Sequence, residues 1–183
     1  MAEPVILSRD CDAVQIPSGA PIRLAKGTHA KITQSLGGTF TVMTDDGNMV
    51  QIANENSDAI GKEKAQAVPK DGDSGEAKPL EEWVWDTLKT CYDPEIPINI
   101  VDLGLVYECT VTPLPKPEEG AGVHVKMTLT APGCGMGEVI KRDAETKIKQ
   151  LPGVKEVNVE LVWEPPWDQS KMTDAAKLKL GML

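Results

Sequence analysis

The chain has 183 residues, of which 40% are hydrophobic and only 4% aromatic, and its formal net charge is -9. The excess of 28 acidic over 19 basic residues argues against a nucleic-acid partner, because no basic surface would offset repulsion from the phosphates. The N-terminus carries charge at once, unlike a signal peptide, and no run approaches the roughly 18 apolar residues of a membrane span. We therefore expect a soluble, cytoplasmic protein without a membrane segment.

The first part of the chain predicts a small all-β domain. Segments 29–36 (HAKITQSL) and 39–44 (TFTVMT) flank Gly37 and Gly38, a pair typical of a tight hairpin turn. Polar residues then separate 39–44 from the next apolar segment, which indicates a second hairpin. Strands this short and closely spaced are typical of a small barrel or a curled sheet. We predict a barrel-like domain over residues 1–61.

Residues 62–78 predict a flexible linker. This stretch lacks aromatic residues and alternates charges with glycine, proline and serine. Such a segment buries too little apolar area to offset the entropy lost on ordering. We therefore place a second domain at residues 79–183.

The second domain shows a helix, two strands, a helix and a strand. Its first helix begins near Pro79, with Glu81 and Glu82 favourable to the helix dipole. Apolar residues recur there at helical spacing: Leu80, Trp83, Val84, Leu88 and Cys91. The predicted strands include 123–130 and 154–163. A crossover helix between them would make these two strands parallel.

Two further patterns support this α-β-β-α-β order. Alternating apolar residues predict one half-buried strand: Val123, Val125, Met127 and Leu129. Four apolar residues share one face of the second helix: Ile140, Ala144, Ile148 and Leu151. The segment 172–180 predicts a short terminal helix. The chain as a whole is predicted to be α+β, with a small mixed sheet in the second domain.

The loop TAPGCGMG, residues 130–137, places one cysteine among three glycines at the predicted start of a helix. Gly133, Gly135 and Gly137 permit backbone conformations closed to other residues and leave peptide N–H groups uncovered. These donors and the positive end of the helix dipole favour an anion. We therefore expect Cys134 to have a lowered pKa and to act as a nucleophile or soft-metal ligand, although Glu138 opposes that shift. The alternative is a small buried hydrophobic residue.

The second candidate motif is DPEIPINIVDLG, residues 93–104. Pro94 and Pro97 hold Asp93 and Glu95 on an extended path. Together with Asp102, these carboxylates could hold iron transiently beside a thiolate, or contact a partner. The alternative is that Asp93 and Asp102 only make turn hydrogen bonds.

The remaining cysteines and the histidines give no independent site. The four cysteines lie far apart and form no Cys-x-x-Cys pair, so no self-contained zinc or ferredoxin-type site is indicated and we expect reduced thiols. His124 lies about 20 Å from the cysteine loop along its strand, and His29 belongs to the other domain. A cysteine–histidine dyad within the second domain is therefore excluded, and we do not expect an enzyme.

The stretches YDPEIPINIVDLGLVYE and TLTAPGCGMG, with the closing WEPPW, resemble the SufT family of iron–sulfur cluster assembly factors. The second domain also looks like PaaD and the eukaryotic cytosolic iron–sulfur targeting factors. This resemblance implies an accessory role in maturing iron–sulfur proteins. It places the functional thiol on Cys134, the strand-end threonine on Thr130, and the acidic motif on the three carboxylates named above. Many relatives have proline after the cysteine, where this chain has Gly135.

The resemblance also implies partners, namely iron–sulfur assembly and carrier proteins and apo-protein clients. One cysteine is too few for a cluster held by four thiolates, so we expect no stably bound cofactor. A cluster or iron would be held at Cys134 only transiently, bridged by a homodimer or completed by a partner. Two alternatives stay open, a thiol-dependent enzyme and a structural adaptor. In the adaptor, Trp163 and Trp167 would anchor a partner rather than cover the edge of the core.

Overall fold

The computed structural model describes residues 2–65, 78–116, 120–133 and 135–183. None of the helices in these ranges is long and apolar enough to cross a membrane. The described residues form two compact units. The first contains residues 2–65 together with the short segments 94–97 and 135–139, and the second contains the others.

The N-terminal sheet of the first unit has six antiparallel strands, in the spatial order β1-β4-β5-β6-β2-β3. Their bounds are β1 Glu3–Ile6, β2 Cys11–Gln15, β3 Pro21–Leu24, β4 His29–Leu36, β5 Thr39–Thr44 and β6 Met49–Ile52. A 3₁₀ helix, Asn54–Ile60, follows the last strand. The side chains of Phe40, Val42, Val50 and Ile52 are buried in the core of this sheet.

Both predicted hairpins are present, β4–β5 across Gly37–Gly38 and β5–β6 across residues 45–48. The sheet is nevertheless open and does not form a closed barrel. Strands β1 and β3 are its two edges, and within the described residues neither pairs with the other. The prediction of a barrel-like domain is corrected accordingly, since only the all-β character and the hairpins hold.

The second predicted domain has the order that the sequence predicted. Its elements are α1 Leu80–Leu88, β7 Val106–Pro113, β8 Ala121–Met127, α2 Gly137–Lys149, β9 Val154–Leu161 and α3 Asp174–Lys179. Strand β8 is central, antiparallel to β7 and parallel to β9. The α+β class and the small mixed sheet are thus confirmed, with α2 joining the two parallel strands.

The apolar patterns of the second domain form its core. Val123, Val125 and Met127 are buried on β8, whereas His124 and Lys126 point to the other face. The predicted apolar face of α2 is buried along its whole length. The strand predicted at 123–130 ends earlier, at Met127. Residues 100–104 form turns, since the N–H groups of Leu103 and Gly104 donate to the carbonyls of Asn99 and Val101.

Most of the predicted linker, residues 66–77, lies outside the described residues. Its first part, 62–65, is attached to the start of the 3₁₀ helix, because Ala65 exchanges two hydrogen bonds of 2.7 Å with the side chain of Asn54. The flexible linker and the domain boundaries at 61 and 79 remain predictions.

Candidate functional site

The acidic loop is closed at its base by backbone hydrogen bonds. The Ile100 N–H donates to the Cys91 carbonyl at 2.9 Å, and Tyr92 and Asn99 pair as an antiparallel bridge. Asp93 is only 8% exposed, whereas Glu95 near the tip of the loop is exposed. The two predicted carboxylates are therefore presented differently, one inside the fold and one to solvent.

Asp102 lies in a turn held by Asn99, a partner that was not predicted from the sequence. The Asn99 side-chain amide donates to Asp102 Oδ2 at 2.8 Å, and the Asp102 N–H donates to Asn99 Oδ1 at 2.9 Å. The three-residue spacing of Asn and Asp was the available signal, because such side chains commonly bond the backbone of their own turn. This geometry favours the turn interpretation of Asp102, and a role in ligand contact remains a prediction.

The C-terminal segment covers the turn that follows Asp102. Trp167 Nε1 donates to the Leu103 carbonyl at 2.7 Å, and the Thr173 N–H donates to the Asp102 carbonyl at 2.9 Å. Gly104 has φ 72°, and a Cβ at this position would overlap the Lys171 carbonyl oxygen. Trp167 is thus an internal anchor at the edge of the core, while Trp163 remains 47% exposed.

Cys134 itself lies outside the described residues, but the residues around it are described. Thr130 is half-buried, and Gly133 is exposed in a turn with φ 77°. Gly135 is exposed, Met136 is 1% exposed, and Gly137 is the first residue of α2. The helix therefore starts three residues after Cys134, where the sequence predicted it. The lowered pKa and the exposure of that thiol remain predictions.

The other three cysteines have environments opposite to the one predicted for Cys134. Cys11, Cys91 and Cys109 are free, and burial raises the pKa of each thiol. Cys109 reaches a pKa of about 11, with Glu81 adding to the effect of burial. At neutral pH these three groups remain protonated, which makes them poor nucleophiles and poor ligands.

The described residues contain no assembled metal site. Within them, no three His, Cys, Asp or Glu side chains come together as a group that could hold a metal ion. His29 is exposed, and His124 Nε2 lies 3.3 Å from Glu160 Oε2 on the sheet. A metal or cluster at Cys134 would need ligands beyond the groups that the described residues bring together.

Glu95 also lines the wall of a cleft of about 730 Å³ in the first unit. The lining mixes neutral polar and apolar residues with the single carboxylate of Glu95, and it comes from the turns and strands of the N-terminal sheet together with the acidic loop. The lining residues are Gln15, Ile16, Pro17, Ser18, Thr33, Gln34, Thr41, Met43, Gly47, Asn48, Met49, Pro94 and Glu95. The exposed end of the acidic motif therefore faces a space shared with the N-terminal sheet.

Comparison with known proteins shows that the second domain is similar to a family of proteins and to individual relatives. A family model described as iron-sulfur cluster assembly protein matches residues 81–161. An Fe-S protein maturation auxiliary factor of Porphyromonas gingivalis is 43% identical over 105 residues, covering 56% of this chain and 92% of that protein. The Fe-S protein maturation auxiliary factor SufT of Staphylococcus aureus is 41% identical over 90 residues, covering 49% of this chain and 96% of that protein.

A more distant relative and a solved structure agree with this match. An iron-sulfur cluster carrier protein of Synechocystis sp. is 31% identical over 87 residues, which are 48% of this chain but only 23% of that protein. The crystal structure of a domain of unknown function, DUF59, from Bacillus anthracis is 34% identical with a TM-score of 0.50. The aligned part covers 57% of this chain and 93% of the Bacillus anthracis chain. The similarity in sequence is thus accompanied by similarity in fold.

Proposed function

Since the chain belongs to the iron-sulfur cluster assembly protein family, we propose that it acts as an accessory factor in the maturation of iron–sulfur proteins. The observation that carries this proposal is the 43% identity to a maturation auxiliary factor across 92% of that protein's length. The resemblance to SufT proteins is confirmed by the same comparisons. The function requires contact with apo-protein clients and with assembly or carrier proteins, and no catalytic turnover.

Cys134 is the residue through which we propose that this function operates. It lies three residues before the first residue of a 13-residue helix, whose dipole favours a thiolate near that end. Gly133, Gly135 and Gly137 add no side chains to this loop, and Thr130 lies three residues after the end of β8 rather than at the strand end. The raised pKa of the other three thiols leaves Cys134 as the cysteine suited to soft-metal chemistry at neutral pH.

The cargo would be an iron–sulfur cluster or iron, held transiently rather than as a resident cofactor. Protein-bound clusters usually have four thiolate ligands, and one Cys134 per chain supplies a quarter of that set. A homodimer that pairs two cysteine loops would supply two ligands, and a partner or client would supply the others. Glu95 is the exposed carboxylate of the acidic motif and is the proposed contact for a partner near this loop.

The test is the activity of a client iron–sulfur enzyme in cells that lack this protein. Cells complemented with the wild type are compared with cells complemented with Cys134→Ser and with Cys109→Ser, which removes a thiol whose pKa is about 11. We expect Cys134→Ser to lower client activity at equal client abundance, while Cys109→Ser restores it. Full activity with Cys134→Ser would contradict the thiol mechanism and favour a structural adaptor.

The bridged form of the cargo has its own test. The purified protein is incubated anaerobically with iron and sulfide, and its absorbance spectrum is compared with that of Cys134→Ser at matched oligomeric state. A chromophore in the wild-type dimer that is absent from the variant supports a cluster shared between two loops. A dimer that stays colourless would refute the bridged cluster and leave the partner-completed form.

A further inference from the structure

The turn between β2 and β3 has its own fixed conformation. The Gly19 N–H donates to the Gln15 carbonyl at 2.8 Å, and the Gln15 N–H donates to the Ala20 carbonyl at 2.8 Å. Gly19 has φ 72°, a conformation that residues with a Cβ rarely adopt. The shape of this turn is therefore set by the N-terminal sheet that carries it.

This turn lies backbone to backbone against Gly135, a residue of the same compact unit. A Cβ on Gly135 would overlap the Ser18 carbonyl oxygen and come within 3.1 Å of the Gly19 nitrogen. A Cβ on Gly19 would overlap the Gly135 carbonyl oxygen and lie 3.0 Å from the Gly135 Cα. Each glycine thus leaves room for the other, and neither position accepts a side chain while the contact is kept.

Two other glycines with positive φ, one in the N-terminal region and one in the cysteine loop, lack this crowding. Gly27, in the turn between β3 and β4, has φ 85°, and Gly133 in the cysteine loop has φ 77°. A Cβ added at either position meets nothing within 4 Å. The close approach at Gly19 and Gly135 is therefore not a general property of glycine turns in these two regions.

We infer that the Ser18–Gly19 turn is a docking element that holds the loop at Gly135 and thereby regulates the cysteine loop. Gly135 lies inside the range 81–161 matched by the family model, whereas the turn lies outside it. The contact gives a physical reason for glycine directly after Cys134, because a proline ring or any other side chain would collide with Ser18. The effect on the reactivity of Cys134 rests on the proposed function of that thiol. The contact between Gly19 and Gly135 does not depend on it.

Amide hydrogen exchange of the full-length protein tests the contact itself. Gly19→Ala and its control Gly27→Ala both place alanine at a positive φ, but only the first intrudes on Gly135. We expect Gly19→Ala to speed exchange in residues 135–139 about 5- to 30-fold relative to Gly27→Ala, as loss of a contact that stabilises a local region would. Equal exchange of these residues in the two variants would overturn the inference.

A reciprocal pair guards against a local folding defect in the turn. Gly135→Ala is compared with Gly133→Ala, which carries the greater backbone strain but meets no neighbour. We expect only Gly135→Ala to speed exchange in residues 15–20, which are distant from residue 135 along the chain. If Gly133→Ala has the larger effect on those residues, backbone strain and not docking is responsible.

Alkylation of Cys134 with iodoacetamide at neutral pH then measures the consequence for the thiol. We expect Gly19→Ala to change the rate at Cys134 at least about fivefold relative to Gly27→Ala, with Cys109 unaffected. If the alkylation rate of Cys134 is unchanged while amide exchange in residues 135–139 is faster, the docking contact is supported and its effect on the thiol is refuted. Full activity of the client enzyme with Cys134→Ser would instead count against the proposed function and leave the docking contact untouched.

Discussion

Lys147 carries a buried charge whose removal should destabilise the second domain strongly. Its side chain on α2 is 7% exposed, and Nζ donates to Asp143 Oδ2 at 2.7 Å and to the Thr90 carbonyl at 2.9 Å. The ammonium therefore connects α2 to the chain that leaves α1. Lys147→Met keeps the aliphatic stem but leaves the Asp143 carboxylate, whose side chain is only 21% exposed, without its ammonium partner.

The expected loss follows from that uncompensated carboxylate. Breaking a buried ion pair by removing one member typically costs about 3–5 kcal/mol in the free energy of unfolding. Burial already raises the pKa of Asp143 in spite of Lys147, so in the variant the carboxyl should take up a proton more readily. The loss should therefore be largest near pH 7 and smaller at acidic pH, where protonation removes the unpaired charge.

Urea unfolding followed by circular dichroism measures this loss, with Lys126→Met as the control. Lys126 forms a 3.0 Å pair with Glu108 on the surface, where solvent screens the charges, and its loss should be much smaller. The double variant Lys147→Met/Asp143→Leu should recover most of the stability, because it removes both charges. A Lys147→Met variant as stable as Lys126→Met at pH 7 would refute this reasoning.

Three further predictions use the same fold. Burial raises the pKa of Asp143 above its ordinary value of 3.8, so the protonated carboxyl contributes fully to stability below about pH 3.8. That contribution declines as pH rises through the raised pKa. The stability of Asp143→Asn relative to the wild type should therefore increase with pH in the same urea assay. Gly104→Ala should lower the free energy of unfolding by at least about 1–2 kcal/mol, and by more than Gly153→Ala, because both have positive φ but only Gly104 meets the Lys171 backbone. Mass spectrometry after brief iodoacetamide treatment at pH 7 should find Cys134 alkylated well before Cys109.

Each of these has a result that would contradict it. For Asp143, a stability difference that does not change between pH 4 and pH 7 would mean that the carboxyl has an ordinary pKa in the fold. For Gly104, an equal loss in the free energy of unfolding for Gly104→Ala and Gly153→Ala would mean that the close approach to Lys171 does not contribute. For the thiols, simultaneous alkylation of Cys109 and Cys134 would remove the reason to assign the chemistry to one loop.

Local patterns were enough to predict the elements and most of the core. The alternation of Val123, Val125 and Met127 and the helical spacing of Ile140, Ala144 and Ile148 each identify one buried face, because side-chain direction follows directly from the backbone period. The start of α2 was predicted by the glycine loop before it. These features depend on neighbours a few residues apart.

The remaining features depend on pairs that are distant along the chain. Closure of the N-terminal sheet would require β1 to pair with β3, and no residue pattern within two four-residue strands decides that. A lysine on a helix is ordinarily exposed, so the burial of Lys147 beside Thr90 gave no sequence signal. The approach of Gly19 to Gly135 was likewise invisible, since glycine alone does not say what it leaves room for.

The most direct measurement of the proposed function is the cluster content of a client enzyme. The client is purified anaerobically from cells that lack this protein and carry the wild type, Cys134→Ser or Cys109→Ser, and iron and acid-labile sulfide are measured per client polypeptide. We predict full content with the wild type and with Cys109→Ser, and depleted content with Cys134→Ser. A client that carries its full cluster in the Cys134→Ser cells would contradict the claim that this thiol serves iron–sulfur maturation.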